Sequence, residues 1–131
     1  MSNLITFAPT GARLLLGLIF VVFGSNYFLG FLPVPPAEGA AATFKAGLAA
    51  TGYFFPMMKT IQIVVGLALL ANRFVALGLV VLAPITVNIV AYHVIDPAGL
   101  PMAMVILALH LTVAWSRREA YAPLLKPAVT S

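Results

Sequence analysis

The residues of this chain that could do chemistry are the few polar side chains that interrupt its apolar segments. The chain has 131 residues, of which 63% are hydrophobic and 8% are charged, so a polar side chain in an apolar run is costly and therefore informative. Four such residues fall at a common depth in three different runs: Asn26, Lys59, Gln62 and Asn88. At about 1.5 Å per residue, all of them lie within ~15 Å of one surface. We expect either a polar pocket there or hydrogen bonds that only fix helix register.

His93 lies near the same end of the third run and completes the candidate ligand-binding set. Asp96 follows three residues later. Its carboxylate either orients His93 or serves only as a helix cap before Pro97. His110 lies ten or more residues into the fourth run, which places it about 10–15 Å deeper than His93. This difference in depth argues against a haem held by two histidines of one chain.

Several classes of site are excluded by what the sequence lacks. The chain has no cysteine, which excludes disulfides, thiol catalysis and Cys-ligated metal centres. No apolar run contains a carboxylate or a His-x3-His spacing, so we predict no catalytic residue and no metal site. The net charge of +4 comes from seven scattered basic residues, which do not form a nucleic-acid surface. We expect no cofactor, with a quinone left open.

Four apolar runs must position these side chains. They cover residues 10–32, 53–71, 74–94 and 97–115, each near the ~20 residues that cross a ~30 Å hydrocarbon layer. Backbone polar groups in lipid must bond internally, so each run should be an α-helix. We predict an all-α membrane protein of one domain, residues 1–131, with four transmembrane helices in an antiparallel bundle. The composition argues against a soluble globule and against a disordered chain.

The Ala-rich segment 38–51 is too short to span a membrane. Phe44 and Leu48 are four residues apart, so they would share one face of a helix. We interpret the segment as a short interfacial helix between helices one and two, with an ordered surface loop as the alternative. Gly17 and Gly24 are seven apart on one face of the first helix, where small residues let a neighbouring backbone approach closely.

The basic residues predict the orientation of the chain in the membrane. Five of the seven lie at one end of the predicted bundle: Arg13, Arg73, Arg117, Arg118 and Lys126. Cytoplasmic loops are enriched in Lys and Arg. We therefore expect both termini in the cytoplasm and the protein in the cytoplasmic (inner) membrane.

Several motifs resemble those of the DoxX family of small membrane proteins. They are the run from Gly17 to Pro33, the segments Ala49–Tyr53, Gly66–Leu70 and Asn72–Phe74, and above all Ala83–His93. The resemblance covers about residues 11–126 and implies a four-helix membrane bundle. It also implies a link to thiosulfate–quinone oxidoreductases and other membrane oxidoreductase complexes. Lys59 matches a lysine of the family's second helix, whereas Gln62 stands where relatives often carry glutamate.

These observations favour a non-catalytic integral subunit or accessory protein of a larger membrane complex, redox or energy-transducing, or a homo-oligomer. The alternative is a protein that binds a quinone or another small molecule in the polar layer. A transporter or channel would require an oligomer. We expect Lys59 to meet Asp96, Asn88, a carbonyl of the 33–52 loop or a ligand head, unless its amine only reaches the lipid headgroups.

Overall fold

The computed structural model describes the backbone of residues 2–127 and the side chains of residues 7–127, and all regular structure in this part is helical. The α-helices are α1 (Ser2–Leu29), α2 (Gly39–Ala50), α3 (Phe54–Leu70), α4 (Val75–Ile95), α5 (Leu100–Ser116) and α6 (Arg118–Tyr121). Two 3-10 turns, Pro97–Gly99 and Ala122–Leu125, follow α4 and α6. The predicted all-α class is confirmed for this part of the chain.

Helix length and composition indicate a membrane protein. Within the described residues, three helical segments are long and apolar enough to cross a bilayer: Phe7–Leu29, Val75–Ile95 and Pro97–Ser116. Helices α2 and α3 are long and apolar enough to cross a bilayer only when they are taken together, and they meet at an angle of 91°. The described chain therefore has three candidate spans, or four if this bent pair is one span. Large apolar side chains on the outside of these helices, such as Leu77 and Val87, indicate contact with lipid.

Helices α1 and α3 pack closely because glycines line their contact. A Cβ atom on Gly17 would lie 2.8 Å from the Gly66 carbonyl oxygen, and one on Gly24 would lie 3.1 Å from the Lys59 carbonyl oxygen. Both glycines of α1 therefore face α3. Later residues of α1 meet earlier residues of α3, so this pair of helices runs in opposite directions.

The buried core is shared by four helices. It contains Ala12, Leu16 and Phe20 of α1, Val65 and Leu69 of α3, Val75, Leu79 and Leu82 of α4, and Ile106 and Val113 of α5. Apolar side chains in a membrane protein gain little from leaving lipid, so close packing between helices contributes more here than the hydrophobic effect does.

The helix ends differ from the predicted spans for local reasons. Helix α1 ends at Leu29 rather than residue 32, because Gly30 adopts a left-handed conformation with φ of +63°. Helix α5 begins at Leu100, since Pro97–Gly99 forms a 3-10 turn first. The predicted segment 38–51 is helical from Gly39 to Ala50, which contradicts the alternative of an ordered surface loop.

Candidate functional site

An open groove of about 460 Å³ lies between α2, α3 and α4, and it is called simply the groove from here on. Its walls are formed by Phe44, Leu48, Phe54, Met57, Met58, Ile61, Pro84, Ile85 and Asn88. Eight of these side chains are apolar, and Asn88 alone is polar. The groove is therefore an apolar site with one hydrogen-bonding group, which is the usual composition of a small-molecule site.

Helical periodicity explains why these residues share the groove. Phe44 and Leu48 are one turn apart on α2, as the sequence predicts. Their helix packs against both α3 and α4. The four lining residues of α3 recur at intervals of three and four, which puts them on one face. Helix α4 contributes Asn88 one turn beyond Pro84.

Asn88 is exposed on the groove wall. Its side-chain amide forms no hydrogen bond with any of residues 7–127. The residue lies in the second half of α4, which is a candidate span. Transfer of an amide from water to an apolar medium without a hydrogen-bond partner costs about 4–8 kcal/mol for cyclohexane and roughly 1–3 kcal/mol in proteins. The groove therefore presents an unsatisfied donor and acceptor to whatever occupies it.

Aromatic rings crowd the α2 side of the groove. The ring centroids of Phe44 and Tyr92 are 6.1 Å apart, and Lys45 Nζ lies 5.8 Å from the centre of the Tyr92 ring. The Tyr92 hydroxyl is buried and has no hydrogen-bond partner among residues 7–127. Tyr92 and Lys45 therefore lie near Phe44 of the groove wall, although neither lines the groove.

The predicted polar layer does not converge on the groove, and Asn26 shows why. Asn26 is buried, its Nδ2 donates to the Leu32 carbonyl at 3.2 Å, and its Oδ1 accepts from the Leu32 N–H at 2.6 Å. The nitrogen and the oxygen of the Asn26 amide therefore both bind the backbone of the loop that follows α1. Asn26 thus holds the chain that follows α1, and its role as a candidate ligand-binding residue stays a prediction.

Lys59 and Gln62 lie away from the groove as well. The Lys59 backbone carbonyl faces Gly24 of α1, and Lys59 does not line the groove. Gln62 is only 2% exposed. The predicted contacts of Lys59 with Asp96 or Asn88 are absent, since its amine has no hydrogen-bond or ion-pair partner in the described part. Rotation of about 100° per residue separates Lys59 and Gln62 from the groove face of the same helix.

His93 is held at the turn after α4. Its Nδ1 lies 3.3 Å from the Asp96 carbonyl oxygen, and its ring packs against the backbone of Gly99. Asp96 occupies the N-cap position of the 3-10 turn with Pro97 directly after it, as predicted, but its side chain makes no cap hydrogen bond. Its carbonyl oxygen accepts the Gly99 N–H at 3.4 Å instead. Neither residue lines the groove.

Two polar arrangements were not foreseen as such from the sequence. Thr86 and His110 form a buried pair between α4 and α5. Arg13 and Arg117, assigned only to topology, line a second cavity at the opposite end of the helices. The similar depths of Thr86 and His110 in their helices would have suggested the first pair. The second arrangement depends on how α1 and α5 are rotated about their own axes, which the sequence does not give. Within the described residues, no group of three or more His, Asp or Glu could hold a metal ion.

No family model, curated protein or solved structure matches this chain. Its resemblance to the DoxX family therefore stays a prediction.

Proposed function

We propose that the chain is a membrane-embedded binding protein without catalytic activity of its own, and that the groove holds a quinone-like molecule. One observation carries this proposal: Asn88 places an unpartnered amide on the wall of an otherwise apolar groove. A ligand with a polar head and an apolar body would satisfy the amide and cover the apolar wall together.

The lining chemistry supports a flat ring with carbonyl groups. The Asn88 Nδ2 can donate to a quinone carbonyl, which is a hydrogen-bond acceptor. Phe44 and Phe54 offer aromatic surfaces, and Met57 and Met58 are flexible side chains that adapt to an irregular ligand. The groove volume of about 460 Å³ lies within the ~300–1,000 Å³ range of small-molecule sites.

Binding, rather than reaction, is supported by the absence of titratable side chains from the groove wall. None of its nine lining residues is a His, Lys, Arg, Asp, Glu or Tyr. General acid–base catalysis requires such a group within hydrogen-bond reach of the reacting atom. His93 and Lys59 both lie outside the groove lining.

The test is binding of decylubiquinone to the purified protein in lipid nanodiscs, measured by equilibrium dialysis. We expect saturable binding that weakens about tenfold in Asn88→Leu, because one hydrogen bond of a desolvated amide is lost. Ile85→Trp should fill the groove and abolish binding. Val87→Trp is the matched control, since Val87 is 64% exposed, belongs to the same helix and does not line the groove.

Two results would overturn the quinone proposal. One is a lack of saturable binding to the unaltered protein. The other is equal binding by Asn88→Leu and Val87→Trp together with displacement by an alkane of similar size, which would reduce the groove to a crevice filled by lipid tails.

A second function, that of an accessory subunit in a larger membrane complex, is favoured by the segment after α5. Leu124 and Leu125 are 72% and 81% exposed, although they lie beyond the last candidate span. Tyr121 anchors the start of the segment to its own chain, because its hydroxyl donates to the Ala76 carbonyl at 2.8 Å. The two leucines are therefore presented on a fixed support to another chain or to the membrane surface.

Replacement of both leucines tests this second function. Leu124→Glu with Leu125→Glu should release the protein from any larger assembly seen after mild detergent extraction, while the helices stay inserted. Leu77→Ala, on the outside of α4, is a control for the loss of apolar surface alone. A protein that migrates as a free monomer before any substitution would contradict the accessory role.

We further propose that the chain is a DoxX-like four-helix antiparallel bundle in the cytoplasmic membrane, with both termini cytoplasmic. The opposed directions of α1 and α3 support the bundle. Two contacts between α4 and the chain at and after α5 also support it. Thr86 in the middle of α4 meets His110 within α5, and Ala76 near the start of α4 meets Tyr121 beyond the end of α5. Helix α3 is 17 residues long, about 25 Å, and α2 would then lie near the interface. The five basic residues at one end support the orientation.

A further inference from the structure

A second cavity, of about 170 Å³, lies between the start of α1 and the end of α5, and we call it the arginine cavity. Pro9, Thr10, Arg13, Val113, Ser116 and Arg117 line it. It lies at the end of the helices where α3 turns into α4, away from the groove. Two guanidinium groups and two hydroxyl-bearing residues from different helices therefore meet in one small space.

Both guanidinium groups are held in place by neighbouring backbone and amide groups. Arg13 Nη1 donates to the Leu69 carbonyl and, at 3.4 Å, to the Leu70 carbonyl at the end of α3. Arg117 Nη2 donates to Asn72 Oδ1 at 2.7 Å in the turn that follows. A guanidinium has five N–H donors, so each arginine has more N–H groups than these contacts use. Anchored arginines with spare donors lose little entropy when they bind an anion.

The positive charge of the cavity is not neutralised within the described chain. Among residues 7–127, neither arginine forms an ion pair, although Glu119 is only two residues beyond Arg117. Both arginines are partly buried, where charges are screened less than at an open surface. Two positive charges on the wall of one cavity favour the binding of an anion between them.

The position of the cavity along the helices points to the headgroup level of a bilayer. Arg13 lies near the beginning of the apolar stretch Phe7–Leu29, and Arg117 directly follows the stretch Pro97–Ser116. Trp115 is 70% exposed beside them, and the Arg118 guanidinium stacks 4.8 Å from the centre of its ring. Exposed tryptophans and basic side chains are characteristic of membrane–water interfaces.

We infer that the arginine cavity binds a phosphate group, carried by an anionic lipid or by a small soluble phosphate ester. Guanidinium groups recognise phosphate oxygens through paired hydrogen bonds. A cavity of about 170 Å³ has room for several water molecules and therefore for a phosphate group. This site is independent of the groove and of the ligand proposed there.

The lipid source is tested by native mass spectrometry of the protein in a neutral detergent, with phosphatidylglycerol and phosphatidylcholine added at equal concentrations. We expect phosphatidylglycerol adducts to dominate, and Arg13→Gln and Arg117→Gln to weaken them about tenfold each, as expected for loss of a charge-assisted contact. Arg118→Gln is the matched control. It removes the same charge from the same end of the protein, and Arg118 does not line the cavity.

The soluble source is tested by thermal unfolding in inorganic phosphate against chloride at constant ionic strength. A rise in midpoint that Arg117→Gln removes would assign the site to free phosphate as well, whereas adducts without such a rise would assign it to the lipid alone. Arg13→Gln also removes a contact with the end of α3, so Thr10→Glu provides a second variant. It keeps both arginines, adds a carboxylate that competes with phosphate for them and should abolish binding in a folded protein.

Two results would overturn this inference. Absence of both lipid selectivity and a phosphate effect in the unaltered protein is one. An equal loss of adducts in Arg118→Gln, Arg117→Gln and Thr10→Glu is the other, because that pattern would reflect net charge rather than the cavity.

Discussion

The Thr86 hydroxyl on α4 lies 2.9 Å from Nδ1 of His110 on α5, and both side chains are buried. Thr86→Val should remove the partner of the imidazole and destabilise the protein by about 1–2 kcal/mol. His110→Leu should cost less, since the Thr86 hydroxyl can turn to the carbonyl one helical turn earlier. Unfolding in mixed micelles titrated with SDS measures both changes.

The double variant isolates the interaction from the cost of each substitution. Thr86→Val with His110→Leu should cost less than the two single changes summed, by about 0.5–1.5 kcal/mol. Thr112→Val is the control on α5, because Thr112 is exposed and bonds only to the Ala108 carbonyl of its own helix. Additive energies would contradict a hydrogen bond between the two residues.

Gly17 supports a second prediction, about the contact between α1 and α3. A Cβ there would lie 2.8 Å from the Gly66 carbonyl oxygen, so Gly17→Ala should separate the helices and cost about 1–3 kcal/mol. Gly11→Ala is the matched control on α1, because nothing lies within 4 Å of its added carbon. We expect Gly11→Ala to stabilise the protein by up to about 1 kcal/mol, since alanine favours helix. Equal effects in SDS titration would refute close packing at Gly17.

The sequence allowed the helical, membrane-embedded nature of the chain to be predicted, because composition and run length depend only on counting. It also allowed the apolar face of α2 to be predicted, since Phe44 and Leu48 are four residues apart and both line the groove. Spacing within one helix is local information. The bounds at Leu29 and Leu100 were harder to predict, because each depends on a turn of one to three residues.

The site was harder to predict because sequence position gives the depth of a residue but not the neighbour it faces. Lys59 and Asn88 fall at similar depth in the sequence, yet Asn88 lines the groove and Lys59, whose backbone carbonyl faces Gly24 of α1, does not. Asn26 shows a further difficulty. Its amide is occupied by Leu32, and this contact exists only because the chain turns back at Gly30.

Asn26 itself supports a third prediction. Asn26→Leu should leave the Leu32 N–H and carbonyl unpaired and cost about 1–3 kcal/mol. Asn26→Asp keeps an acceptor for the Leu32 N–H but sets a buried carboxylate against the Leu32 carbonyl oxygen, so its effect at pH 7 should be at least as large. Hydrogen exchange of the 30–36 segment measures the change directly. Unchanged exchange at Leu32 in Asn26→Leu would contradict its role in closing the loop.

The orientation of the chain supports a fourth prediction, which the absence of cysteine makes simple to test. Ala98 and Ala120 are exposed and lie at the two opposite ends of α5. Since Arg73, Arg117 and Arg118 lie at the Ala120 end, that end should be cytoplasmic. In intact cells, Ala98→Cys should react with a membrane-impermeant maleimide, and Ala120→Cys should react only after permeabilisation.

The basic residues can be tested as the cause of this orientation. Arg73→Gln, Arg117→Gln and Arg118→Gln together leave Arg13 and Lys126 at that end, against Lys45 and Lys59 on the remaining chain. With the bias removed, we expect a mixed population in which both single-cysteine variants react partly in intact cells. Lys45→Gln should leave the orientation unchanged, because it increases the bias. Labelling of Ala120→Cys alone in intact cells, before any arginine is changed, would mean that the chain inserts the other way round.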